Sequence, residues 1–96
     1  MIDFEILNEH QQALGKAVAA SAPPDADRIV IDVTGETNKP RIAIQPPMGL
    51  DEDVLLAIRK LLLLYKDDGN ELSRLLAVFV RDSGGWDMSL EYEYVD

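Results

Sequence analysis

The chain contains no cysteine, one histidine and one tryptophan in 96 residues. Without cysteine there can be no disulfide, no thiolate metal site and no cysteine nucleophile, and the composition suits a reducing cytoplasm. His10 has no cysteine or second histidine to share a metal with, and the helical pattern around it puts it on an exposed side. Positive charge is also scarce. Nine Lys and Arg stand against eighteen Asp and Glu, a formal net charge of −9. The bases are scattered, Arg59-Lys60 being the one adjacent pair, so no basic patch offers itself to nucleic-acid phosphates or anionic lipid. Long apolar runs are missing too: the richest, residues 54–65, is interrupted by that same pair and falls short of the roughly 20 residues that span a bilayer. Acids occupy the opening Met-Ile-Asp-Phe-Glu where a signal peptide carries lysine or arginine. These absences point to a cytoplasmic protein with neither nucleic acid nor membrane as its partner.

What remains is enough for a fold. A hydrophobic fraction of 47% is too high for a disordered acidic tail, and the length suits one domain, residues 1–96, with one modest core. Phe4, Leu7, Leu14 and Val18 lie on a helical stripe that Pro23-Pro24 terminates. Residues 28–34 (RIVIDVT) and 41–45 (RIAIQ) read as strands joined by a turn at 35–38, and Pro46-Pro47 stops the second. Asp51 is a good N-cap for a second helix, with Leu50 placed to staple onto Leu55. Val54, Leu55, Ile58, Leu61, Leu62 and Tyr65 form its core face. Leu56, Leu63 and Leu64 widen the apolar arc, which predicts burial on more than one side and offers a seam for a homodimer. Gly69 is the expected stop. Two further strands follow, residues 75–81 and 86–95. The order α-β-β-α-β-β predicts an α+β two-layer sandwich, a four-stranded antiparallel sheet packed against two helices.

The last hairpin carries most information. Trp86, Met88, Leu90, Tyr92 and Tyr94 alternate with Asp87, Ser89, Glu91 and Glu93, which puts the apolar set toward the helices and the acids outward. A two-residue turn within Ser83-Gly84-Gly85 places Leu75, Ala77, Phe79 and Arg81 on the aromatic side. Leu76, Val78 and Val80 then share the outer face with the acids. A three-residue loop exchanges the two sets. Glycine suits the two-residue turn. The outer face then holds an apolar stripe rimmed by carboxylates, a candidate partner-binding site. Asp82 adds to the rim. Asp67, Asp68 and Glu71 extend the acidic bias of this half, the first two sitting at a helix C-terminus where the dipole disfavours them.

No catalytic constellation stands out. Asp51-Glu52-Asp53 is accounted for as a helix start, since consecutive helical acids point apart. Gly84-Gly85 lacks the helix and lysine of a phosphate loop. Trp86, Tyr92 and Tyr94 could stack bases, but the charge argues for core packing. The residues point to a binding protein, not an enzyme, with no cofactor and no metal.

The closing run RLLAVFVRDSGGWDMSLEYEYVD follows a leucine-rich helix ending in Gly69. With the element order and the Pro23-Pro24 break, it resembles the YezG-like bacterial immunity proteins, antitoxins to secreted toxins. Members tend to close on a strand alternating aromatic and acidic residues before a Tyr–acid end, as Tyr92, Tyr94 and Asp96 do here; Leu72 and Ser73 stand where a tryptophan is often found. The resemblance implies a cytoplasmic protein that neutralises a cognate toxin by tight binding, without cofactor or catalysis. A basic toxin acting on nucleic acid would suit the charge. The alternative is an acidic secretion-type chaperone or structural adaptor.

Overall fold

The computed structural model describes residues 2–46 and 51–95, so the expectations for Pro47, Leu50 and Asp96 lie outside the described residues. The elements run α1 (Phe4–Ser21), β1 (Arg28–Glu36), β2 (Lys39–Gln45), α2 (Glu52–Asp67), β3 (Leu72–Asp82) and β4 (Gly85–Tyr94). The expected α-β-β-α-β-β order is the observed one. The sheet order is β2-β1-β3-β4, with every neighbouring pair antiparallel.

Both helices begin on capping aspartates. Asp3 accepts from the Glu5 and Ile6 N–H groups and Asp51 from that of Asp53, satisfying donors that have no intrahelical partner. The α1 helix ends at Ser21, with Ala22 as its C-cap before the Pro23-Pro24 break. Its stripe is shorter than expected: Leu14 and Val18 are buried and Leu7 half-buried, but Phe4 is 74% exposed. Phe4 is the first residue of the helix.

The first hairpin is tighter than its composition suggests. Gly35 pairs with Pro40 and Glu36 with Lys39, so the turn comprises only Thr37 and Asn38, and β1 and β2 each run two residues further into it. Gly35 sustains this with a φ of 93°, which side-chain-bearing residues rarely adopt.

Alternation sorts each strand by face. Ile29, Ile31 and Val33 of β1 and Leu75, Ala77 and Phe79 of β3 are buried against Leu14 and Val18 of α1 and against α2. On α2 the buried set is Val54, Ala57, Ile58, Leu61, Leu62 and Tyr65. The expected burial of α2 on more than one side is not found. Leu55 and Leu63 are exposed and Leu56 is 51% exposed, because both helices lie on one face of the sheet and nothing described packs on the far side of α2. Leu64 is half-buried. At one end, Tyr65 stacks obliquely on Tyr92 at 4.7 Å and on Tyr94 at 6.0 Å between ring centroids. The Gln11 side-chain amide donates to the Tyr92 hydroxyl at 2.6 Å, tying α1 to the last strand.

Candidate interaction face

The register of the last hairpin decides what the acids sit beside. Asp82 pairs with Gly85, leaving Ser83-Gly84 as a two-residue turn, and Arg81, Phe79, Ala77 and Leu75 then oppose Trp86, Met88, Leu90 and Tyr92. Gly85 takes a φ of 124° at the turn's exit. Arg81 lies over the Trp86 ring at 4.5 Å and donates to the Pro24 carbonyl, so its charge is held at the sheet end on the helix side. The expected two-residue turn is therefore the one adopted.

Leu76, Val78 and Val80 consequently point away from the helices, and no described element covers them. Across the sheet, Val78 has Val30 on one side and Ser89 on the other; Leu76 lies between Asp32 and Glu91; Val80 lies between Arg28 and Asp87. Val30, Leu76 and Val78 are half-buried by their strand neighbours alone, and Val80 is 44% exposed. The stripe thus runs over the two central strands, with carboxylates concentrated on the β4 side.

The acids on this face are not equivalent. Arg74 donates through Nε and Nη2 to both oxygens of Asp32, at 3.0 and 2.9 Å, and through Nη1 to Glu93 at 3.2 Å. These hydrogen bonds hold the Asp32 carboxyl below the usual aspartate range. Glu93 is therefore partly neutralised, whereas the exposed Glu91 and Asp87 form no ion pair among the described residues. At the turn, the Gly84 N–H donates to Asp82 at 2.7 Å and lowers the Asp82 carboxyl, helped by a hydrogen bond from Asp87. That hydrogen bond and the Asp82 charge push Asp87 above its ordinary value. Negative charge is crowded here, and an incoming cation would relieve it.

The other expected site residues are elsewhere. Asp67 and Asp68 close α2, where the Asn70 side chain donates to Asp68 at 2.8 Å. Glu71 is half-buried and accepts from the Thr37 hydroxyl at 3.1 Å, bracing the first hairpin turn against the start of β3. That position gives Glu71 a structural use. These three acids lie off the stripe, at the opposite end of β3 from Asp82. Conversely, Val30, Asp32, Arg28 and Arg74 belong to the outer face, although the sequence pattern of the last hairpin does not point to them. The alternation of RIVIDVT marks Val30 and Asp32 as sharing a side, but only the β1–β3 pairing brings them to the stripe.

His10 is half-buried and not exposed as expected; it lines a shallow groove between the helices with Ala13, Ala17, Leu56 and Lys60. Among the described residues no group of three or more His, Asp or Glu side chains could hold a metal ion, and no helix is long and apolar enough to cross a membrane. No protein-family model matches the chain, and no curated protein matches it in sequence.

Proposed function

We propose that this chain is an immunity protein: it binds a folded, basic toxin domain in the bacterial cytoplasm and neutralises it by occlusion, without cofactor or catalysis. The observation that carries the reading is the uncovered outer face of the sheet, an apolar stripe flanked by Asp87 and Glu91, whose charges no described cation balances. Such a face supplies a desolvated centre and a charged rim, the usual anatomy of a specific interface. The net charge of −9 steers it toward positive partners, with an on-rate that falls as salt rises. The closing aromatic–acid alternation, through which the chain resembles YezG-like immunity proteins, supports the same function.

The test starts from a pull-down in native cells, washed at low and high salt, followed by purification of the basic domain it recovers. The wild-type chain should abolish that domain's activity at equimolar ratio. Asp87→Lys with Glu91→Lys should fold normally by circular dichroism but associate on the order of tenfold more slowly or worse. Glu93 is left intact because its reversal would also disturb Arg74. Unchanged affinity in the double variant would remove the outer face as the site. Affinity and on-rate indifferent to salt would remove the electrostatic argument.

A second reading, an acidic secretion-type chaperone or structural adaptor, is favoured by a different observation: the exposed Leu55, Leu56 and Leu63 of α2, which could seat a second copy. Light scattering separates the two, since the adaptor is a dimer through α2 and holds an extended, non-native segment of its partner.

A further inference from the structure

We infer that the free edge of β4 accepts an extended basic strand of the partner, joined to it by backbone hydrogen bonds, so that the acidic rim is read side chain by side chain. This rests on the outer-face reading above and specifies how the partner engages it. Two strands, β2 and β4, have a neighbour on one side only among the described residues. Half of the backbone N–H and C=O groups of such a strand point outward without a strand partner. The β2 edge is guarded: Pro40 lacks a donor there, and Lys39 and Arg41 beside it repel a basic strand. The β4 edge has no such guard. It runs ten residues without proline, lysine or arginine, and it stays in register with β3 from Gly85 to Glu93.

Side-chain accessibility agrees with an open edge. Trp86, Met88, Leu90 and Tyr92 face the helices but are only half-buried, whereas Leu75, Ala77 and Phe79 of β3 beside them are buried. Beside them runs a groove between α1 and β4, lined by Gln12, Gly15, Lys16, Ala19, Trp86 and Met88. A strand laid against β4 would put alternate side chains over this groove. The other set would lie about 4.5–5.5 Å from Asp87, Ser89, Glu91 and Glu93. The first set should therefore be apolar and the second Lys or Arg. A second copy of this chain does not fit. Self-pairing about a two-fold axis at Leu90 sets Asp87 opposite Glu93, and about Ser89 it sets Asp87 opposite Glu91; like charges so opposed destabilise a strand pair.

The probe is a short synthetic peptide alternating lysine with valine and threonine, titrated into the full chain at low salt and followed by NMR and amide exchange. Three controls accompany it: glutamate in place of lysine, and N-methylation of either alternate set of backbone nitrogens. The lysine peptide should slow exchange of alternate β4 amides, and the glutamate peptide should not bind. N-methylation of one set should weaken binding about tenfold or more, and of the other set little, because only one set faces the strand. Equal tolerance of both methylations, or no binding of the lysine peptide, would overturn the inference. So would shifts confined to the Leu76, Val78 and Val80 methyl groups without β4 protection, although that result would keep the outer face as the site. The outer-face reading itself falls only if Asp87→Lys with Glu91→Lys leaves toxin affinity unchanged.

Discussion

Phe79 is the largest fully buried side chain, wedged in β3 between the sheet and the helices. Its neighbour Val78 points the opposite way and is half-buried. Phe79→Ala should destabilise the chain by about 3–5 kcal/mol in urea titrations, and Val78→Ala by well under half of that. Leu90 sits on the open edge, so its truncation should fall below the roughly 2–5 kcal/mol of a core leucine. Asp32 gives a pH signature. Arg74 depresses its folded-state value below the ordinary 3.8, so the stabilisation is fully present above pH 3.8 and is lost as the pH falls through the lowered value. Asp32→Asn should lower Tm at neutral pH and flatten the acid limb of the stability curve. The alternation assigning Phe79 and Val78 to opposite faces is local and can be read from the strand itself. The Arg74–Asp32 pair is 42 residues apart in the chain and exists only because β1 lies beside β3.

Among the elements, α2 shows how a helix end is specified. The Gly69 N–H bonds to the Lys66 carbonyl and the Asn70 N–H to that of Tyr65, closing the helix in a Schellman arrangement with Gly69 at a φ of 85°. A Cβ at Gly69 would meet nothing within 4 Å, so Gly69→Ala isolates the backbone term and should cost about 1–2 kcal/mol. The apolar arc of the same helix reads as two buried sides because its leucines are counted without knowing how many layers surround it. With the helices on one face only, Leu56 and Leu63 are left toward solvent. Leu56→Gln with Leu63→Gln should therefore leave stability within about 0.5 kcal/mol and sedimentation unchanged. Conversion of a wild-type dimer to a monomer would favour the adaptor reading. Gly69 could be read in advance because its role depends on a few adjacent residues; the tight turn at Thr37-Asn38 could not, because Gly35 serves inside a strand there.

For the whole molecule, a net charge of −9 on a chain this short means self-repulsion in the folded state, to which the neighbouring Asp82 and Asp87 contribute. Raising salt from about 0.02 to about 0.5 M should increase the Tm of the isolated protein while slowing its association with a basic partner, two opposite responses measurable on one preparation.

By itself the sequence determined the element order, the cap at Asp51, the stop at Gly69 and the alternation of faces along each strand. All of these depend on periodicity or on interactions within a few residues. The tertiary structure decided the β2-β1-β3-β4 order, which carries Val30 and Asp32 to the stripe and gives Arg74 two acids. It also engaged Glu71 with Thr37, exposed one side of α2 and left β4 at an edge. Such outcomes depend on which strands become neighbours and which faces find cover. Those are properties of packing between distant segments, and local periodicity does not encode them.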